Sequence, residues 1–373
     1  MTKFFSIQCG PTATHGRGFR AALMTMMAVT LSATAARAVT IEMVTVGDPG
    51  NPNDTINTGT TPNYGAVAES FQIMKYEWTN SQYVEFLNAV DPDGTNPNSI
   101  YNSNMGSDTR GGISFTSGSA AGTKYASRTN MGDKPVNFVS WFDAARVANW
   151  LQNGQGSSST ETGAYTLVGG QTSGTAPARN SGATFYIPTE DQWYKAAYYK
   201  GGSTNAGYWD YATQSDTAPT AVTANSTGNG LAGSAGNFAN YNFAADWNSQ
   251  DGNVTTVGTN GGASAYGAFD MSGNVREWND LTGAAGSSRG LRGGSWVNPA
   301  AFNLSSSSRP TRIPSDESDN FGFVSQVRFQ SPRHWGWLQA GRCVPVGGGC
   351  SSGVGGLEPR PFGLCPFIPL HAG

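Results

Sequence analysis

Histidine and cysteine are scarce in this chain, and the few present sit near its two ends. The 373 residues include three His (His15, His334, His371) and four Cys (Cys9, Cys343, Cys350, Cys365), with neither type between residues 39 and 323. A serine nucleophile in that stretch would have only Lys or a carboxylate as its base. Charge is also thin: Asp, Glu, Lys and Arg make up 13% of the chain, about half of the roughly 25% usual in soluble domains. The net charge of -3, with Lys and Arg scattered, leaves no basic stripe for phosphates and argues against a nucleic-acid partner. No stretch after the first 38 residues is apolar and long enough to span a bilayer.

What is abundant is glycine, 50 residues, which with the low charge suggests a loop-rich extracytoplasmic protein. The first 38 residues read as a secretory signal. Lys3, Arg17 and Arg20 precede an apolar run from Ala21 to Ala36, and Ala36-Arg37-Ala38 offers a small-x-small cleavage site. A mature chain would begin at Val39 and end up in periplasm, at the cell surface or in the medium. Cys9 would leave with the signal, and the odd number remaining implies an unpaired thiol or an irregular tail.

Three segments carry helix start signals. Thr79-Asn80-Ser81-Gln82 and Thr189-Glu190-Asp191-Gln192 have capping-box spacing, and Ser140 opens a third segment. Tyr83, Phe86, Leu87 and Val90 form one apolar face; Ala144, Val147, Ala148 and Leu151 form another, opposite a polar face with Arg146 and Asn149; Trp193, Ala196 and Ala197 form the third. Short strands are expected at 70–76, 184–187 and 290–297. The polar runs 102–126 and 154–182 read as long surface loops, unusual unless functional or held by ions.

Five motifs then appear in order: Phe71 to Tyr83 with Glu77-Trp78-Thr79-Asn80, Pro135 to Ala144, Ile187 to Trp193, Gly267 to Trp278, and Arg292-Gly293-Gly294-Ser295-Trp296. Together they resemble the formylglycine-generating enzyme, or sulfatase-modifying factor, family over residues 42 to about 323. The resemblance implies one α+β domain of C-type-lectin-like fold, loop-rich with little regular secondary structure, whose loops bind calcium. One family calcium site falls on Asn240, Tyr241, Asp251 and Asn253, with Tyr241 and Asn253 acting through backbone carbonyls, and a second on Asp270, Gly273, Val275 and Glu277, where two acidic side chains bracket two backbone carbonyls. Such sets suit calcium, which takes six to eight oxygens from carboxylates, amides and carbonyls. The alternative is that Asp270 and Glu277 cap a turn and Asp251-Gly252-Asn253 is an ordinary turn.

Family oxidases hold copper(I) on two cysteines, and the matching positions here are Asn298 and Asn303. A hard amide does not replace a soft thiolate. A second branch binds iron through three histidines, which residues 39–323 lack. No copper or iron is therefore expected, and the implied function is a calcium-stabilised exported binding module with a protein or glycan ligand at variable loops. The alternative is an oxidase acting on a cysteine of a sulfatase-type substrate. Ser305 to Ser308, Arg309 and Arg312 fall in the family's substrate groove, where they could contact a peptide or anion or form a solvated loop. Trp141, Trp193, Trp278 and Trp296 are expected in the core. Family domains close on a G-F-R strand, but Phe321-Gly322-Phe323 is followed by Val324. The domain is thus expected to end at 323, with 324–373 an irregular tail, either the product of a frameshift near codon 324 or a genuine extension with one disulfide.

Overall fold

A computed structural model describes residues 38–55, 63–202 and 206–328. Residues 1–37 of the expected signal and the tail beyond 328 lie outside the described residues, as do the cysteines. Strands β1 (Met43–Val46) and β2 (Phe71–Met74) lead into helix α1 (Asn80–Val90) and a short helix α2 (Asn104–Ser107). A hairpin of β3 (Ile113–Phe115) and β4 (Tyr125–Ser127) precedes α3 (Trp141–Gln152), β5 (Phe185–Tyr186) and α4 (Glu190–Tyr198). The run 102–126, expected to be a loop, thus holds three short elements, too brief to show a period.

The helix starts follow the local signals. Thr79, Ser140 and Thr189 each accept from the backbone N–H three residues on, and Gln82, Asp143 and Gln192 return the bond to the cap. The buried faces differ from expectation at α3, where every residue from Trp141 to Leu151 is buried. Its expected polar face is covered by the 154–182 run, which supplies the partners. Arg146 lies against Glu161 at 2.9 Å and donates to the Gln171 carbonyl at 2.9 Å, while Asn149 donates to the Thr160 carbonyl at 2.7 Å. Buried polar groups are tolerated where they are bonded, and this loop, itself largely exposed or half-buried, supplies those bonds.

The second half of the chain adds β6 (Thr220–Ala221), β7 (Phe238–Ala239), β8 (Arg276–Asn279), β9 (Arg289–Arg292), β10 (Thr311–Arg312), β11 (Phe321–Phe323) and β12 (Gln326–Arg328). Two four-stranded sheets result, in the orders β1-β2-β12-β5 and β10-β9-β8-β11. In the second, β8 pairs antiparallel with β9 (Glu277 opposite Arg292) and parallel with β11 (Gly322 opposite Glu277). The strand expected over 290–297 is shorter because the chain turns at Gly293 and Gly294, both at positive φ (87° and 71°), a conformation glycine adopts without steric cost. Trp141, Trp193, Trp278 and Trp296 are all buried.

The expected boundary at 323 needs correction. Val324, Ser325 and Gln326 are buried, Ser325 accepts from the Trp78 indole N–H at 3.0 Å, and β12 pairs with both β2 and β5. The closing strand is therefore present in this chain and runs through Arg328. It went unread because three residues paired across long sequence separations leave no local pattern.

Candidate functional site

The segment from Asp270 to Glu277 enters the second sheet from a turn. Asp270 and Asn274 both sit in the left-handed region (φ 59° and 60°), where Asp and Asn are enriched among non-glycine residues. Gly273 has φ 97°, and a Cβ there would meet the Asn240 carbonyl oxygen at 2.5 Å. That position requires glycine on both counts.

Asp270 and Glu277 are buried at either end of this segment. The Asp270 carboxylate accepts from Gly258 N–H at 2.5 Å and Asn260 Nδ2 at 2.8 Å, yet burial raises its pKa to about 6. Glu277 accepts from the Trp193 indole N–H through Oε2, while its Oε1 is buried without a protein partner. Burial, and then the charge of Asp270, raise its pKa to about 8, against the bond from Trp193.

A third carboxylate belongs to this centre. Glu77, fully buried, accepts from Asn274 Nδ2 at 2.6 Å and from Val275 N–H at 3.1 Å. Its pKa is raised well above the ordinary value, first by burial and then by the charges of Asp270 and Glu277. Glu77 is the acid of the Glu77-Trp78-Thr79-Asn80 motif. An acidic residue placed between a buried strand and a capped helix was the available signal for it.

The first expected quartet is assembled in part. Asn240 Nδ2 donates to the Asn253 carbonyl (2.9 Å), Thr255 Oγ1 (2.9 Å) and Asn274 Oδ1 (3.1 Å), and its own Oδ1 is buried without a protein partner. Asn253 is buried next to it. The Tyr241 backbone carbonyl, the atom expected as a ligand, accepts from Ala244 N–H at 3.3 Å, and Asp251 is exposed, its backbone carbonyl accepting from Arg110 Nη2 at 3.0 Å. Among the described residues no three His, Cys, Asp or Glu side chains converge closely enough to hold a metal ion. A cation here would have to draw on amide and backbone oxygens as well as carboxylates, which hard calcium accepts. The orphaned buried oxygens, Glu277 Oε1 and Asn240 Oδ1, are donors of that kind, so the residues present fit such an ion.

The groove positions behave differently. Asn298 Oδ1 accepts from Ser295 N–H (2.7 Å) and Oγ (3.1 Å), and Asn303 Nδ2 donates to the Ala300 carbonyl (3.0 Å), so both amides hold their own turns. Arg309 is paired with Glu190 at 2.7 Å, and Glu190 also binds Arg292 at 2.7 Å. Arg292 in turn donates to the carbonyls of Ser306 (2.8 Å) and Ser308 (3.0 Å). The serine run and Arg309 are thus tied into the fold, while Arg312 is exposed, 4.0 Å from Asp316. Phe302 and Ile313, 64% and 57% exposed, stand out on the same segment.

Solved structures similar to this chain include Treponema denticola variable protein 1 (18% identity, 77% of this chain and 94% of that one, TM-score 0.38). Others are CarF (19%, 78% and 99%, 0.45) and PvdO from Pseudomonas aeruginosa (19%, 78% and 92%, 0.40). No curated protein matches. The α+β, C-type-lectin-like fold, with its helices and several small sheets joined by long irregular segments, is the one expected. A family model of the sulfatase-modifying factor enzyme 1-like domain matches residues 30–325, and the chain belongs to that family.

Proposed function

We propose that this protein is an exported binding module, stabilised by calcium, that carries a protein or glycan ligand on the loop between β9 and β11 and lacks the family's copper or iron oxidase chemistry. The observation that carries the calcium reading is the pair of fully buried oxygens without protein partners, Asn240 Oδ1 and Glu277 Oε1, one in each expected quartet. Burying a carboxylate without a cation or a proton is costly, and to that cost the charges of Asp270 and Glu277 add at Glu77, and the charge of Asp270 adds at Glu277. Calcium would supply charge neutralisation and fix the loops; Asp270 and Glu277 would hold it by side chains, Gly273 and Val275 by backbone carbonyls.

The binding role is supported by Phe302 and Ile313, apolar side chains exposed on a segment whose backbone is pinned from beneath by Arg292. Rigid backbone with exposed apolar side chains suits recognition, because little entropy is lost on contact. Against the oxidase reading stand Asn298 and Asn303, whose amides are hard ligands engaged in their own turns. Export is supported by the apolar run after Arg20 and its small-x-small end. Among the described residues no helix is long and apolar enough to cross a membrane.

Two measurements test this function. Calorimetric titration of the purified chain with calcium should show binding and a rise in melting temperature; no heat and no rise would remove the calcium reading. Incubation with copper(I), oxygen and a sulfatase-derived cysteine peptide should leave the peptide mass unchanged, whereas conversion to formylglycine would make the protein an oxidase.

A further inference from the structure

The two quartets are not separate pieces of structure. Asn274, one residue past Gly273, binds both. Its Oδ1 accepts from Asn240 Nδ2 (3.1 Å) and Thr255 N–H (2.9 Å), and its backbone N–H donates to the Asn240 carbonyl (2.9 Å). Its Nδ2 donates to Glu77 Oε2 (2.6 Å) and to the Thr255 carbonyl (3.2 Å). Glu77 closes the circuit by accepting from Val275 N–H with its other oxygen. Asn240, Asn274, Glu77 and Thr255 are all fully buried, so no water competes for these bonds.

This arrangement gives each quartet a hold on the other. In the first, Asn240 presents its lone Oδ1 only because three acceptors fix its Nδ2, and one of them is Asn274 Oδ1. In the second, the backbone from Gly273 to Val275 is set by Glu77 and by the Asn240 carbonyl. We infer that Asn274, anchored on Glu77, is a positioning residue that couples the two calcium loops, so that filling either one raises the affinity of the other. The inference rests on the calcium reading above. An ion on the Gly273 and Val275 carbonyls would immobilise Asn274, and an immobilised Asn274 pre-orients Asn240. Linkage makes the effect equal in both directions. Packing supports the same connection, since the Asn240 carbonyl oxygen lies 2.5 Å from where a Gly273 Cβ would be.

Calcium titration of the purified chain, read by calorimetry and by melting temperature, tests the coupling. Two ions per chain with a steeper than independent isotherm are expected. Glu277→Gln keeps an acceptor for the Trp193 indole N–H but removes the charge and the lone Oε1 of the second quartet, and should leave one ion, bound at least about fivefold more weakly than in the parent. Asn274→Ala should bind two ions with the steepness gone. If Asn274→Ala does not fold, Glu277→Gln decides alone. Unchanged affinity for the remaining ion in Glu277→Gln, retention of both ions there, or one ion per chain in the parent, overturns the coupling and leaves the calcium reading standing. Absence of binding in the parent removes both.

Discussion

Two buried carboxylate centres within one domain are held by opposite means. At Glu190 two guanidiniums converge: Arg292 and Arg309 reach its oxygens at 2.7 Å, and the rings of Tyr64 and Tyr194 lie 5.3 Å and 5.0 Å from Arg292. At Glu77, Asp270 and Glu277 the partners are backbone N–H groups, two amides and an indole; burial raises all three pKa values, and the charge of Asp270 raises Glu277 and Glu77 further. The first centre carries its counter-charges in the chain. The second must take up protons or a cation, and that difference separates a structural knot from a site. The two centres are neighbours across the second sheet, since Glu277 of β8 pairs with Arg292 of β9.

The sharpest way to break the contrast is Arg292→Met. It leaves Glu190 with one guanidinium and removes the donor to the Ser306 and Ser308 carbonyls. Removing one partner of a buried pair costs about 3 kcal/mol or more, and urea unfolding should register it with or without calcium. Chelation should do the converse. With calcium at a hundred times its dissociation constant a site contributes about 2.7 kcal/mol, so a chelator should lower the melting temperature of the parent and of Arg292→Met alike.

A smaller effect is expected from Trp193→Phe, which deletes the one hydrogen bond that reaches the Glu277 carboxylate among the described residues. An unsatisfied buried acceptor costs about 1 to 3 kcal/mol, and the loss in urea should shrink when calcium is added. Smallest is Glu317→Gln. Burial, followed by the charge of Asp143, raises the Glu317 pKa from 4.5 to about 8. The folded chain therefore holds a proton that the unfolded chain releases, and stability from this group is complete below pH 4.5 and lost as pH rises to about 8. Melting curves between those values should be flatter for Glu317→Gln than for the parent.

Much of the scaffold was legible, and the reason is its range. Thr79, Ser140 and Thr189 cap their helices through residues three positions on, so the signal and the structure occupy the same few residues. Asp270, Gly273, Val275 and Glu277 also lie within one short segment. Arg146 and Asn149 misled because their partners come from a loop whose composition is that of a surface. The closing strand was missed at Gln326, which meets Ile73 and Tyr186 from far along the chain.

The sequence by itself determined the family, the three helix starts, and the absence of cysteine and histidine between residues 39 and 323, because each is a property of residue identity or of neighbours a turn apart. Only the tertiary structure decided that Glu77 lies against Asn274, 197 residues away, and that Asn240 meets the same side chain. The reason is physical. A hydrogen bond across a helix cap is written in adjacent letters, but the burial of a carboxylate, and hence its need for a cation or a proton, exists only once distant segments have excluded water around it.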